Sequence, residues 1–141
     1  MKKNVENYLD WPLNCLQLFM KKTVLVIEDE PVIAEMMSIL LEEDGYNVTS
    51  LADTVRARQK LHANEVDLVM LDLGLKGEDG RSMCAYIKGQ DDLKHIPVIL
   101  VSGNVDLEKI KDECGADDHI AKPFDLDHFM GKVQQYSAEV N

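Results

Sequence analysis

The stretch Val24-Leu25-Val26-Ile27-Glu28-Asp29-Glu30 joins an uninterrupted apolar run to three consecutive acids. An apolar run of this length is typical of a strand that is covered on both faces, as in a parallel sheet. Similar runs occur at residues 66–71 and 96–101, and weaker strand candidates at 46–51 and 117–121. The sequence therefore predicts five strands.

Helical segments separate the predicted strands. After Pro31, which suits a first helical turn, apolar residues recur at i, i+3, i+4, i+7 and i+8 until Gly45, a typical helix stop. Further helices are predicted at residues 55–63, 81–88 and 107–114, and after Asp125 as a capping residue. A strand–helix unit repeated five times predicts an α/β fold, a doubly wound five-stranded parallel sheet with helices on both faces.

Length and charge limit the function classes. The 141 residues correspond to about one domain, and the net charge is −11. Such a negative field repels the phosphates of nucleic acids and anionic membranes, so we expect no direct nucleic-acid partner.

Three widely spaced cysteines, without a C-x-x-C motif, exclude a disulfide framework and indicate reduced thiols in a cytoplasmic protein. No apolar run approaches the roughly 18 residues of a membrane-spanning helix, so we expect no membrane insertion. Acids and Pro12 interrupt any hydrophobic core of a signal peptide.

Residues 1–22 differ from the rest of the chain and are interpreted as an N-terminal extension to a domain at residues 23–141. Four lysines and two acids give the extension a net charge of +2, so the domain carries −13. The extension is too apolar for a purely solvated tail; its large apolar residues include Leu9, Trp11, Leu13, Leu16, Leu18 and Phe19. Met20 offers an alternative start.

Polar side chains follow four predicted strands. Doubly wound sheets bind ligands outside the carboxyl ends of their strands, so Glu28, Asp29 and Asp72 should lie close together there, with Ser102 and Lys122 beside them. Carboxylates so close need a cation between them, and hard oxygen ligands suit Mg²⁺. The alternative is three solvated acids at helix N-termini, where the helix dipole favours them.

A lysine, a hydroxyl and a metal converging on one carboxylate can stabilise phosphoryl oxygens, with Asp72 as the attacking acceptor. A lysine beside a carboxylate can also be a structural ion pair. Neither G-x-G-x-x-G, nor a P-loop, nor H-E-x-x-H is present.

From Thr23 to the last predicted helix the chain resembles the receiver domain of bacterial two-component response regulators, of the single-domain chemotaxis-regulator type. The matching fragments are residues 24–30, 69–73, Asp79-Gly80, Ser102-Gly103 and Lys122-Pro123-Phe124. The resemblance implies a flavodoxin-like strand order, 2-1-3-4-5.

The resemblance also implies roles around a Mg²⁺ cofactor. Asp72 is the expected phosphoacceptor and a metal ligand. Asp29 is the expected direct ligand, together with the backbone carbonyl of Gly74, and Glu28 acts largely through water.

Three further roles follow from the same resemblance. Ser102 is expected to donate a hydrogen bond to a phosphoryl oxygen as the active state forms, and Lys122 to pair with Asp72 or its phosphoryl group. The peptide bond between Lys122 and Pro123 is expected to be cis. His119 occupies the position of the family's aromatic switch residue, usually Tyr or Phe. Leu75-Lys76 replaces the usual Met-Pro.

We therefore predict a response regulator that takes a phosphoryl group from a sensor histidine kinase or a histidine phosphotransfer protein. Because Asn141 follows the last predicted helix closely, we expect a single-domain protein that signals to a downstream protein target or relays phosphate onward. We expect catalysis only of its own phosphorylation and dephosphorylation.

Two alternatives remain at this stage. A Mg²⁺-dependent phosphohydrolase of the haloacid dehalogenase type also uses an Asp nucleophile at a strand end, but it needs a second Asp two residues later, where this chain has Gly74. A non-phosphorylated interaction domain would have no need of the five polar residues at the strand ends.

Overall fold

The computed structural model describes residues 21–104 and 106–138. Its centre is one five-stranded parallel sheet with strand order β2-β1-β3-β4-β5, which confirms the predicted topology. The strands are β1 (Thr23–Ile27), β2 (Asn47–Leu51), β3 (Leu68–Asp72), β4 (Val98–Ser102) and β5 (Asp118–Ala121).

Five helices connect and follow the strands: α1 (Pro31–Glu43), α2 (Thr54–His62), α3 (Gly80–Gly89), α4 (Leu107–Cys114) and α5 (Leu126–Ala138). In three of these helices, an aspartate side chain accepts a hydrogen bond from a backbone N–H in the first turn. Asp53 accepts from Val55 N–H and Asp79 from Arg81 N–H, each at 2.9 Å. Asp125 accepts from His128 N–H at 2.7 Å, which confirms its predicted capping role.

The sheet divides the core into two clusters. Helices α2, α3 and α4 pack on one face, where Cys84 and Cys114 are buried free thiols. Helices α1 and α5 pack on the other, and Phe129 is its largest fully buried side chain. The three central strands are covered on both faces, because residues 24–27, 68–72 and 98–102 are all buried.

Two predicted strands begin later than expected. The runs at residues 66–71 and 96–101 correspond to β3 and β4, each of which starts two residues further on. Val66 and Ile96 are buried in the core before the strands begin. Asp67 bonds to Thr23 twice: its backbone N–H donates to the Thr23 carbonyl at 2.9 Å, and its carboxylate accepts the Thr23 N–H at 2.8 Å.

The apolar residues of the predicted extension, including Trp11, lie outside the described residues. The boundary between residues 22 and 23 therefore stays a prediction. Within residues 21–104 and 106–138, no helix has the length and apolar character needed to cross a membrane.

Candidate functional site

Three carboxylates meet at the carboxyl ends of β1 and β3. Glu28 and Asp29 directly follow β1, and Asp72 is the last residue of β3, which pairs in parallel with β1. One oxygen of each carboxylate lies within 4.8 Å of an oxygen of the other two. Glu28 and Asp72 are buried, with exposed fractions of 3% and 8%, and Asp29 is half-buried.

Lys122 brings a positive charge to this cluster. Its Nζ donates to Glu28 Oε1 at 2.7 Å and lies 3.5 Å from Asp72 Oδ1. The family resemblance implied a pairing with Asp72, whereas the shorter contact here is with Glu28. The peptide bond between Lys122 and Pro123 is cis, as predicted.

Burial raises the pKa of the Glu28 carboxyl. The hydrogen bond from Lys122 lowers it in part, and the neighbouring carboxyl of Asp72 raises it further. Glu28 thus shares one buried space with a like charge and a single lysine, which is an arrangement that additional positive charge would stabilise.

The loop after β3 is fastened to the acidic cluster through backbone N–H groups. Lys76 N–H donates to Asp29 Oδ2 at 2.7 Å, and Gly74 N–H donates to Asp72 Oδ1 at 3.1 Å. Lys76 stands where the resemblance expects proline, and only a residue with a backbone N–H can donate this hydrogen bond. The replacement is visible in the sequence, whereas the contact with Asp29 was not predicted.

Gly80 allows α3 to begin directly against the end of β3. A Cβ on Gly80 would lie 2.5 Å from the carbonyl oxygen of Asp72 and 2.7 Å from Leu73 Cα. Both distances are shorter than the contacts that a Cβ atom makes in proteins. The fragment Asp79-Gly80 was recognised as a family match. The structure supplies its physical reason: only glycine fits behind the Asp72 backbone.

Ser102 ends β4 beside the lysine loop. It is buried, its Oγ accepts from Asn104 N–H at 3.3 Å, and its carbonyl accepts from Lys122 N–H at 2.9 Å. The backbone of Ser102 and that of Lys122 are therefore directly linked at the edge of the sheet that carries the acids.

His119 lies in β5, and its ring contacts α4. Nε2 is 2.5 Å from Glu108 Oε2, and Nδ1 is buried with no hydrogen-bond partner among the described residues. The hydrogen bond from His119, aided by Lys111, lowers the pKa of Glu108. His119 thus connects β5 to α4.

The donor set of the acidic cluster fits Mg²⁺. Three carboxylates each offer an oxygen, and these oxygens lie within 4.8 Å of one another. Hard oxygen donors of this kind would suit Mg²⁺, which prefers carboxylates, carbonyls and water. Among the described residues, this is the one cluster of three potential metal ligands.

A doubly wound sheet with acids, a lysine and a hydroxyl at its carboxyl edge defines a class of phosphoacceptor signalling domains. The family model of the response regulator receiver domain matches residues 24–134, and the chain belongs to this family.

Relatives with curated descriptions support this family membership. The chain is 33% identical over 116 residues to the DNA-binding dual master transcriptional regulator RpaA of Synechocystis, covering 79% of this chain and 47% of that protein. The chain spans about half the length of the curated relatives it matches.

Solved structures show the same fold. A response regulator from Chloroflexus aurantiacus J-10-fl superposes with a TM-score of 0.79 at 28% identity, over 84% of this chain and 99% of that one. The receiver domain of a sensor histidine kinase from Pseudomonas aeruginosa PAO1 superposes with a TM-score of 0.76 at 26% identity, again over 84% and 99%. That domain holds a magnesium ion in its active site cleft.

Proposed function

We propose that Asp72 accepts a phosphoryl group from a phosphohistidine on a sensor histidine kinase or a histidine phosphotransfer protein. The observation that carries this proposal is the position of the Asp72 carboxylate, within 4.8 Å of two further carboxylates and 3.5 Å from Lys122 Nζ. A single carboxylate at the end of a strand, next to both a cation site and a lysine, is suited to receive a phosphoryl group.

The proposed step is an in-line displacement at phosphorus. An oxygen of Asp72 forms the new P–O bond while the P–N bond to the donor imidazole breaks, and the imidazole keeps the electron pair of that bond. Lys122 Nζ moves from Glu28 toward the phosphoryl oxygens, where its charge offsets the charge that they bring. The resulting acyl phosphate is later hydrolysed at the same site.

We propose that Asp29, Asp72 and the carbonyl of Gly74 hold Mg²⁺ directly and that Glu28 acts through water. Bound Mg²⁺ supplies positive charge to the phosphoryl oxygens. The magnesium ion in the related kinase receiver domain supports this proposal. The crowding of three carboxylates in this chain supports it independently.

The phosphorylated state is read out at Ser102 and His119. The Ser102 hydroxyl donates to a phosphoryl oxygen, and the motion of β4 and β5 alters the contact between His119 and Glu108, and so the surface offered to a downstream protein. The protein acts on no other substrate, and the free buried thiols of Cys84 and Cys114 are consistent with a cytoplasmic location.

Incubation with acetyl phosphate and Mg²⁺, followed by intact mass measurement, tests the proposal. We expect an adduct of one phosphoryl group in the wild type and in Asp91→Asn, a control at a side chain that is 99% exposed, but none in Asp72→Asn. An adduct on Asp72→Asn would refute the assignment. Turnover of phosphate esters without an adduct would support a hydrolase instead, and neither adduct nor turnover would support an interaction domain.

A further inference from the structure

Helix α1 has a second apolar face that the described chain leaves open. Its inner face packs on the sheet through Met37 and Leu41. On the outer face Val32, Met36 and Ile39 are 74%, 42% and 47% exposed. A helix that is apolar on both sides is normally covered on both sides, and a contiguous exposed apolar patch marks an interaction site.

This outer face continues into a groove of about 560 Å³. The groove is lined by Ile33, Met36 and Leu40 of α1 and, after β5, by Lys122 of the functional site and by Pro123, Phe124 and Leu126. A shallower depression shares Met36 and Leu40 with the groove and extends along α1 to Val32 and Ile39. We call this continuous surface the α1 strip.

The rim of the α1 strip is acidic. Residues 28–46 contain no lysine or arginine, and the exposed side chains of Glu35, Glu42 and Glu43 lie on α1 itself. An occupant that matches this surface is therefore apolar along its length and carries positive charge where it meets these acids.

Residues 1–20 of the same chain are apolar over much of their length. They carry Lys2 and Lys3 against Glu6 and Asp10, a net charge of zero, and Lys21 and Lys22 follow at the point of attachment. Between the lysine pairs lie the large apolar side chains of Leu9, Trp11, Leu13, Leu16, Leu18 and Phe19.

The attachment point of residues 1–20 lies near the C-terminal end of α1. The carbonyl of Lys22 accepts a hydrogen bond from Asn47 N–H at 2.9 Å. Asn47 is three residues beyond Asp44, which caps the C-terminal end of α1. Helix α1 is about 20 Å long, whereas 20 residues span roughly 30 Å even when fully helical and roughly 66 Å when extended. Residues 1–20 can therefore reach every part of the strip.

We propose that residues 1–20 dock on the α1 strip of their own molecule, with the apolar side chains in the groove and Lys2 and Lys3 against the acidic rim. The proposal does not depend on phosphorylation of Asp72, so the two can fail separately.

Trp11 is the only tryptophan of the chain and provides a specific probe. In the full-length protein we expect its emission to be blue-shifted and its quenching by acrylamide to be reduced, relative to the same protein in denaturing urea. Equal quenching in buffer and in urea would overturn the proposal without any variant.

Substitutions on the strip locate the contact. Met36→Glu and Ile39→Glu should shift the Trp11 emission to the red and restore quenching. Val55→Glu is the matched control, because Val55 is an apolar residue that is 60% exposed on α2, on the opposite face of the sheet, and it should change neither. In the reverse direction, Leu16→Glu should shift the methyl resonances of Met36 and Ile39 but not those of Val55.

A protected Trp11 that responds to neither Met36→Glu nor Ile39→Glu would show docking elsewhere and overturn the proposal. Protection that disappears on dilution, together with a dimer in sedimentation, would assign the strip to a second copy and overturn it equally. Circular dichroism of each variant confirms that the sheet and helices persist.

Discussion

Glu28 and Asp29 are neighbours in the chain with different surroundings. Both oxygens of Glu28 have partners, Lys122 Nζ at 2.7 Å and the N–H of Glu30 at 3.2 Å. Asp29 uses Oδ2 for the N–H of Lys76, and its Oδ1 has no hydrogen-bond partner within the described part of the chain. Asp29 therefore has an oxygen available for a cation, whereas Glu28 would have to give up an existing bond.

The first prediction compares these two acids. Glu28→Ala should weaken Mg²⁺ binding about 10- to 100-fold, as is usual for groups that act indirectly on a metal. Asp29→Ala should weaken it more, because Mg²⁺ depends on few direct protein ligands. Isothermal titration calorimetry measures both, with Asp91→Ala as an exposed control. Equal losses in the two variants would contradict the assignment of Asp29 as the direct ligand.

The second prediction concerns His119 and Glu108. The hydrogen bond from His119, with Lys111, holds the pKa of Glu108 below its ordinary value, so His119→Phe should move that pKa up toward the ordinary value. Because the folded-state pKa of Glu108 is lowered, this contact stabilises the fold at any pH above the ordinary pKa of the carboxyl. The stabilisation is lost as the pH falls through the folded-state pKa.

Carbon NMR of the Glu108 carboxyl across acidic pH measures the shift. His128→Phe serves as the control, since His128 lies on α5 and its backbone N–H bonds to Asp125. An unchanged Glu108 midpoint in His119→Phe would show that the contact between the ring and the carboxylate does not persist in solution.

Among the elements, α3 and α5 contain glycines in opposite situations. Gly80 starts α3 where a Cβ would strike the backbone of Asp72 and Leu73, while a Cβ on Gly131 in α5 would meet nothing within 4 Å. The same substitution is therefore expected to have opposite signs at the two positions.

The third prediction is that Gly80→Ala destabilises the protein by about 1–3 kcal/mol, since the backbone must move. Gly131→Ala should stabilise it by about 0.5–1 kcal/mol, because alanine loses less conformational entropy than glycine in a helix. Urea unfolding gives both values. A neutral Gly80→Ala would mean that α3 shifts away from β3 at no cost.

At this scale the sequence predicted the kind and order of elements but misplaced some ends. The starts of β3 and β4 were wrong by two residues because Val66 and Ile96 are buried just as strand residues are. Hydrophobic periodicity reports burial and cannot distinguish a buried approach to a strand from the strand itself.

The site was predictable to a similar degree. The strand-end rule brought Glu28, Asp29 and Asp72 together, as the structure has them. The preference of Lys122 for Glu28 is the difference between contacts of 2.7 Å to Glu28 and 3.5 Å to Asp72. The hydrogen bond from Lys76 N–H to Asp29 depends on the path of the loop after β3. No residue pattern encodes such differences.

Considered as a whole, the molecule concentrates like charge at one edge of its sheet, and the fourth prediction follows from this. Mg²⁺ should stabilise the fold by about 2.7 kcal/mol at 100 times its dissociation constant, because it binds the folded state alone. Urea unfolding with and without Mg²⁺ measures this difference. The stabilisation should largely vanish in Asp29→Ala, and the same stabilisation in that variant would place the cation elsewhere.

The alkylation rates of the two buried thiols in the core cluster beneath α2, α3 and α4 report how often this half of the protein opens. Burial, with a further contribution from the neighbouring Cys114, raises the pKa of the Cys84 thiol, so Cys84 is unreactive toward alkylating agents while the fold is closed. Cys114, at the last turn of α4 and 8% exposed, should be alkylated when α4 alone detaches. The ratio of the two alkylation rates, followed by peptide mass, therefore separates the local release of α4 from unfolding of the whole domain.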